Sequence, residues 1–210
     1  MKLLLTSGGL KNKSIIDELR LLVGKDLKDC RAVYIPTAAN VENGDKGWMI
    51  NNLKELADLF DQVEIADIAL PIDLWQHRVE EAEVIVVGGG NTTYLMGQAR
   101  LSGFDTLLPQ LLANKVYVGI SAGSMVTTPS TAMNSDDVEK KDALGLVKFG
   151  IQPHFQASTF PIAETSQKVR QRREHFAVDY PVYALDDQSA VAVHDDAVKV
   201  VSEGNWELFE

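Results

Sequence analysis

Short apolar runs alternate with longer amphipathic segments along the first 120 residues of this chain. The clearest runs are residues 3–5, 32–35, 84–87 and 115–121, where apolar and mostly β-branched side chains follow one another with little polar alternation. Strands of this composition are buried on both faces, as they are in a parallel sheet covered by helices. The pattern predicts an α/β fold, a three-layer α/β/α sandwich around a mostly parallel sheet.

The remaining segments complete the expected order of elements. Apolar residues recur at helical spacing between a candidate N-cap at Ser14 and a candidate stop at Gly24. Further helices are predicted over residues 48–60, from about Thr92, and over 164–177, and a further strand over 62–65. Short strands joined by Asp-rich and Gly-containing turns predict an antiparallel C-terminal extension, at 182–185, 190–193, 198–201 and 206–208.

Composition narrows the class of protein. The chain has 210 residues, 45% of them apolar, and no Pro/Gly/Ser-rich linker, so we expect a single domain over residues 1–210. Its formal net charge of −10 argues against a nucleic-acid partner. No apolar run is long enough for a signal-peptide core or a membrane span, so we expect a cytoplasmic protein with no membrane partner. The single cysteine, Cys30, excludes an internal disulfide and a thiolate metal cluster.

A G-x-S-x-G pattern at residues 119–123 follows the last of the apolar runs. In this position it is typical of a nucleophile elbow, a tight turn from a parallel strand into a helix that raises a serine above the sheet. Ser121 is therefore a candidate nucleophile for attack on a carbonyl. The alternative from pattern alone is an ordinary strand-to-helix turn that binds a ligand passively.

Three consecutive glycines, 88–90, follow the strand predicted at 84–87. Glycines let the backbone approach a ligand and point N–H groups at it. A phosphate-binding loop is one interpretation, but the spacing fits neither G-x-G-x-x-G nor the lysine-containing P-loop. Beside a nucleophilic serine, the loop is better interpreted as one half of an oxyanion hole, with the N–H of Ala122 as the other half.

A serine nucleophile needs a general base, because its hydroxyl is weakly nucleophilic at neutral pH. Three of the four histidines, His77, His175 and His194, fall among charged residues or at a turn, and we expect them on the surface. His154 follows a short predicted strand, at a sheet end where catalytic groups collect. It is the candidate base.

Three motifs in order carry a resemblance to a known family: VGGGNT at 87–92, GISAGS at 119–124 and IQPHF at 151–155. Together they resemble the dipeptidase E (peptidase E, α-aspartyl dipeptidase) family of serine peptidases, whose larger relatives are the cyanophycinases. The resemblance extends from the first predicted strand to the terminal ones. It implies a flavodoxin-like sheet akin to that of class I glutamine amidotransferases, with serine in place of their cysteine.

The resemblance also implies residue roles. Ser121 would be the nucleophile and His154 the general base, while Gly89, Gly90 and Ala122 would form the oxyanion hole.

The acidic member of the triad has two candidates. The stretch 183–190 matches the family segment that carries it, and Asp187 is the first choice, although family members often have glutamate there. Asp136, fifteen residues after Ser121, matches a second acidic stretch near the family's site. Each lies in an Asp pair that is also typical of a turn.

The segments expected to set specificity depart from the family pattern. Family members that require an N-terminal aspartate carry arginine after the nucleophile, whereas residues 127–133 contain none. The helix predicted at 164–177 keeps four cationic residues, of which Arg170 is the candidate contact for a substrate carboxylate. Asn91 is a second candidate substrate contact.

These features together predict an enzyme that hydrolyses small peptides through an acyl-enzyme, with a Ser-His-acid triad and no metal or organic cofactor. A preference for N-terminal aspartate is one option, and a monomer or a homodimer is expected. Two alternatives stay open. One is another serine acyl hydrolase, such as an esterase, an amidase or an isoaspartyl-type peptidase, and the other is an inactive homologue that binds a small ligand.

Overall fold

A computed structural model describes residues 1–133, 142–156 and 164–210 of the chain. These residues form ten strands, which are β1 (Lys2–Thr6), β2 (Arg31–Ile35), β3 (Gln62–Ile65), β4 (Val84–Val87), β5 (Val116–Ile120), β6 (Gly150–Gln152), β7 (Val182–Leu185), β8 (Ser189–His194), β9 (Ala197–Ser202) and β10 (Trp206–Phe209). Seven of them make a large sheet in the order β3-β2-β4-β5-β1-β8-β9, and three make a small sheet in the order β10-β7-β6. The first five strands of the large sheet are parallel.

Helices cover both faces of the large sheet. Over the described residues they are α1 (Lys13–Val23), α2 (Gly47–Leu59), α3 (Gln76–Glu81), α4 (Thr92–Ser102), α5 (Phe104–Leu111), α6 (Ala122–Met125) and α7 (Ser166–His175). Alternate strand residues belong to different cores: Leu4 packs with α1 and α2, whereas Leu3 and Leu5 pack with α3, α4 and α5. The predicted three-layer sandwich is confirmed. No helix of the described residues is long and apolar enough to cross a membrane.

The register of the parallel strands brings three strand ends to one edge of the large sheet. Gly119 of β5 lies opposite Leu5 of β1 on one side and opposite Val87 of β4 on the other. The residues just beyond these strands, Ser7, Gly88 and Ser121, therefore meet at that edge. Ligands bind at such carboxyl ends in open α/β sheets.

The predicted C-terminal strands are present, but they divide between the two sheets. β8 pairs antiparallel with β1, and β9 with β8, so these two extend the large sheet. β10 pairs antiparallel with β7, while β7 pairs in parallel with β6. Because β6 and β7 are parallel neighbours, the residues that follow them, Pro153 and Asp186, leave the small sheet at the same edge.

Helix α1 begins two residues earlier than the sequence indicated. Its N-cap is Asn12 and not Ser14: Asn12 has extended backbone angles, and its side chain accepts a hydrogen bond from the N–H of Ile15 at 3.0 Å. Ser14 already lies inside the helix. The predicted stop is confirmed, because Gly24 adopts a left-handed conformation with φ of 80°.

This difference between the two caps is testable. Asn12→Ala removes the acceptor for the Ile15 N–H together with the bonds of the Asn12 amide to Gln188, and it should lower the free energy of unfolding by about 1–3 kcal/mol. Ser14→Ala is the matched control and should change it by less than about 0.5 kcal/mol. Urea unfolding of both variants measures the difference, and equal losses would contradict the assignment of the cap.

Candidate active site

Ser121 occupies a sharp turn between β5 and α6. Its backbone angles, φ 50° and ψ −106°, lie in a region that costs a non-glycine residue about 1–3 kcal/mol. The surrounding structure holds it there: the N–H of Ser121 donates to the carbonyl of Thr6 at 3.0 Å, and its carbonyl accepts from Ser124 at 2.9 Å. The turn presents the side chain at the edge where β1, β4 and β5 end.

The glycines of the G-x-S-x-G pattern are required by close packing. A Cβ on Gly123 would lie 2.0 Å from the carbonyl oxygen of Val87, so only glycine lets α6 approach β4 this closely. A Cβ on Gly119 would lie 2.6 Å from the backbone nitrogen of Ser124. The hydroxyl of Tyr117 also donates to the carbonyl of Gly123 at 2.6 Å, and this buried hydrogen bond stabilises the turn.

His154 reaches Ser121 from the small sheet. It follows β6, and its Nε2 lies 2.9 Å from the Oγ of Ser121. Its backbone is left-handed, with φ of 58°, and its N–H donates to the hydroxyl of Ser7 at 2.8 Å. The side chain is half-buried, 17% exposed. This geometry suits proton transfer between the serine and the imidazole.

The other histidines lie elsewhere. His77, His175 and His194 are exposed, on α3, on α7 and at the end of β8. Their positions agree with the surface placement expected from the sequence.

Asp187 lies on the far side of the imidazole. Its Oδ1 is 2.7 Å from Nδ1 of His154 and also accepts a hydrogen bond from the hydroxyl of Ser7 at 3.1 Å. Burial alone would raise the pKa of the carboxyl. The hydrogen bond and charge of His154, with smaller contributions from Lys11 and Ser7, outweigh burial and hold the pKa of Asp187 below its usual value. The carboxylate therefore stays ionised at neutral pH.

The neighbouring aspartate has a different environment. Asp186 accepts hydrogen bonds from the N–H groups of Gln188 and Asn205 and from the hydroxyl of Ser189, which is the turn role expected for an Asp pair. Of the two neighbouring aspartates, Asp186 thus bonds the turn and Asp187 bonds the histidine. The alternative acid, Asp136, lies outside the described residues.

The glycine loop and the first turn of α6 lie beside the serine. A Cβ built on Gly89 would lie 3.4 Å from Cβ of Ser121, which places this residue directly beside the serine. Within the described residues the N–H groups of Gly89 and Gly90 donate no hydrogen bond, although those of their neighbours Gly88 and Asn91 do. The N–H of Ala122 is in the first turn of α6, where an N–H has no partner within its helix.

The two candidate substrate contacts have other partners in the structure. The side-chain oxygen of Asn91 caps α4 by accepting from the N–H of Tyr94 at 2.8 Å, which leaves its amide N–H₂ group for a substrate. The guanidinium of Arg170 bonds Glu207 at 3.1 Å and lies over the ring of Phe209, with its side chain 68% exposed.

Two residues at this edge were not singled out by the sequence. Ser7 bridges His154 and Asp187, and its only sequence signal is its place directly after the first apolar run. Trp48 is the first residue of the helix predicted over 48–60; it is 39% exposed, and its Cζ3 lies 3.7 Å from a Cβ built on Gly89. Among the described residues no group of three or more His, Cys, Asp or Glu side chains is placed to hold a metal ion.

Comparisons with known proteins agree with this fold and geometry. The sequence profile of peptidase family S51 matches residues 3–201. A protein named peptidase E from Citrobacter koseri is 31% identical over 188 residues, which cover 85% of this chain and 79% of the relative. An uncharacterized peptidase of Listeria monocytogenes is 29% identical over 189 residues, which cover 82% and 86% of the two chains.

Solved structures show the same likeness. A crystal structure described as that of a peptidase E protein from Listeria monocytogenes has a TM-score of 0.78 and 25% identity, and the match covers 97% of this chain and 98% of the other. A peptidase from an acI-B1 actinobacterium shares the fold, with a TM-score of 0.71 and 16% identity over 99% of this chain and 93% of the other. The chain thus belongs to peptidase family S51 and is a serine-type peptidase.

Proposed function

We propose that this peptidase hydrolyses small peptides through an acyl-enzyme on Ser121, with His154 as general base and Asp187 as the acid of the triad. The observation that carries the proposal is the continuous chain of contacts from Ser121 Oγ to His154 Nε2, 2.9 Å, and from His154 Nδ1 to Asp187 Oδ1, 2.7 Å. Nucleophile, base and orienting carboxylate have this order in serine hydrolases of unrelated folds.

Each proton has a place in this mechanism. His154 Nε2 takes the proton of Ser121 as Oγ attacks the scissile carbonyl carbon, and it later gives that proton to the leaving amine. Water then loses a proton to the same nitrogen and attacks the acyl-enzyme, which releases the acid product and restores Ser121. Asp187 stays ionised throughout, because its pKa lies below the usual value. It fixes the tautomer by accepting the Nδ1 proton.

The oxyanion would be held by the backbone N–H groups of Gly89, Gly90 and Ala122. Support comes from the position of Gly89 beside Ser121 and from the lack of a protein acceptor, among the described residues, for the N–H groups of Gly89 and Gly90. Such donors act where charge develops, and each contributes about 3 kcal/mol of transition-state stabilisation.

The proposed substrate class is argued from the names of the relatives and from where arginine residues are present or absent. Relatives named peptidase E support peptides as substrates. A requirement for N-terminal aspartate is not supported: residues 127–133 contain no arginine, and the guanidinium of Arg170 is bound to Glu207. We therefore propose small peptides, dipeptides among them, without an obligatory aspartate, with the amide N–H₂ of Asn91 as a substrate contact.

Substitutions in the triad test the mechanism. Ser121→Ala and His154→Ala should each lower kcat on a dipeptide library by more than about 10⁴-fold. Asp187→Asn should lower it by about 10³–10⁴-fold, because the neutral amide no longer stabilises the imidazolium and can hold the histidine in the wrong tautomer. Asp186→Asn is the matched control, since this carboxylate bonds the turn and not the histidine, and its kcat should stay within a few-fold of wild type.

Three outcomes would contradict this proposal. Dipeptide hydrolysis that survives in Ser121→Ala would remove Ser121 as the nucleophile. Turnover of p-nitrophenyl esters by wild type with no dipeptide cleaved would instead support a different acyl hydrolase. A fluorophosphonate probe that leaves the folded wild type unlabelled would support the inactive homologue.

Substitution of the neighbouring residues Gly89 and Gly90 should affect different properties: the first should lower activity, and the second should lower stability. Gly89→Ala places its methyl at ordinary contact distances, 3.4 Å from Cβ of Ser121 and 3.7 Å from Trp48, so the fold should tolerate it. The methyl crowds the reacting carbonyl, and kcat/KM should fall about 100-fold. Gly90→Ala instead strains a residue at φ 127° and brings Cβ to 2.3 Å from the carbonyl of Ala38. It should lower the free energy of unfolding by more than about 2 kcal/mol.

Thermal unfolding and dipeptide kinetics of both variants measure these effects. Gly97→Ala serves as a control, because nothing lies within 4 Å of a Cβ at this helical position and both quantities should be retained. Wild-type activity in Gly89→Ala would contradict the proposed place of the glycine loop beside the reacting carbonyl.

A further inference from the structure

Ser7 connects the two loops that carry His154 and Asp187. It follows β1 and is fully buried. Its backbone N–H donates to the carbonyl of Ser189 at 3.2 Å, which fixes its main chain between β1 and β8. The position of its side chain is therefore set by the large sheet.

The hydroxyl of Ser7 makes one bond as acceptor and one as donor. It accepts from the backbone N–H of His154 at 2.8 Å and donates to Oδ1 of Asp187 at 3.1 Å. A serine hydroxyl has a single proton to donate, and here that proton points at the carboxylate oxygen that also contacts Nδ1 of His154. The backbone of His154 is left-handed, so its conformation depends on bonds of this kind.

We propose that Ser7 is a positioning residue for the triad, which holds the backbone of His154 and the carboxylate of Asp187 in the geometry needed to activate Ser121. This inference rests on the proposed roles of the triad. Ser7 acts through its two partners and does not require contact with the substrate. Its loss should therefore lower kcat and leave KM nearly unchanged.

The test compares Ser7→Ala with wild type by the rate at which a fluorophosphonate probe labels Ser121, and by kcat and KM on a cleaved dipeptide. Labelling rate and kcat should both fall about 10–100-fold, as expected for the loss of a hydrogen bond to a charged group, while KM changes less than about threefold. The proton resonance of the His154 Nδ1–H···Asp187 bond, far downfield in the NMR spectrum of wild type, should weaken or shift in the variant.

Two further variants keep the test decisive. Ser7→Cys preserves the shape of the side chain with a weaker donor and should also label slowly, which covers the case in which Ser7→Ala does not fold. Ser130→Ala is the matched control, because it removes a buried serine hydroxyl bonded to Tyr180, and it should label at the wild-type rate. Wild-type labelling by a folded Ser7 variant overturns this inference, whereas unlabelled wild type overturns the proposed function itself.

An independent observation concerns Trp48. Its Cζ3 and the Cβ of Ser121 lie within 4 Å of one point, the position that a Cβ on Gly89 would occupy. The indole is nevertheless 39% exposed, so apolar surface is open to solvent beside the nucleophile. The nearby cation of Lys46 is engaged by the backbone carbonyls of Ala39 and Glu42. The ammonium keeps its charge but is held against these carbonyls, whereas the ring of Trp48 lies beside Ser121.

We infer that Trp48 contacts an apolar side chain next to the scissile bond, so that the substrates of this site are small peptides with an apolar or aromatic residue at that bond. This deepens the proposed function and rests on it. A ring held at the start of α2 buries apolar substrate surface without having to move. The gain is proportional to the apolar area removed from water.

The test uses dipeptides that differ only in the size of an apolar side chain. Trp48→Ala should lower kcat/KM about tenfold or more for Phe- and Leu-containing dipeptides and less than about twofold for Gly-Gly, while Trp48→Phe keeps most of the preference. Trp206→Ala is the matched control, since this tryptophan is 45% exposed on β10, and it should retain the wild-type preference.

A measurement of dipeptide binding distinguishes a failure of this inference from a failure of the proposed function. Calorimetry on the Ser121→Ala protein measures dipeptide affinity without turnover, and apolar dipeptides should bind about tenfold more weakly when Trp48→Ala is added. If Trp48→Ala lowers the affinity for all dipeptides equally, or for none of them, the proposed role of Trp48 is overturned. Preferential binding without hydrolysis by wild type would leave that role standing and overturn the peptidase mechanism.

Discussion

The site depends on the close approach of helix α6 to strand β4. Gly123 has room for no side chain, because a Cβ there would lie 2.0 Å from the carbonyl of Val87. This packing forces the chain to turn at Ser121 within a single residue, and the strained backbone of that serine is the result. It also brings α6 beside the loop that follows β4. Ser121, the proposed nucleophile, and the glycine loop are thus placed by one contact between helix α6 and strand β4.

The proposed base and acid follow strands of the small sheet, so the proposed mechanism requires the two sheets to be aligned. His154 and Asp187 follow the parallel neighbours β6 and β7, and the turn that carries Asp187 leads directly into β8 of the large sheet. Ser7 provides a second connection, from the end of β1 to both residues. Small errors in this alignment would change the serine–imidazole distance, and proton transfer is sensitive to that distance.

Local pattern was sufficient to predict most strands and helices and the three-layer fold, because each depends on residues close in sequence, but it did not predict the separate three-stranded sheet. It also selected Ser121 and His154 as candidates, whereas Asp187 was chosen over Asp136 only through the family resemblance; Ser121, His154 and Asp187 are in contact in the structure. Features that depend on distant partners were missed. Ser7 is 147 residues from His154, and Arg170 is 37 residues from Glu207, so nothing near either residue indicates its partner. The cap at Asn12 was missed because Ser14 is an equally good local candidate.

Specificity is the property for which these distant contacts matter most. The ion pair of Arg170 with Glu207 is exposed and contributes about 0–1 kcal/mol, so it fixes the guanidinium only weakly. A carboxylate bound by such a side chain must also order it, at a cost in conformational entropy. The ring of Trp48, by contrast, is carried by helix α2 and already lies beside Gly89. A preorganised apolar contact favours binding more than an exposed cation that must leave its partner Glu207, which is why we expect apolar rather than acidic side chains to be selected here.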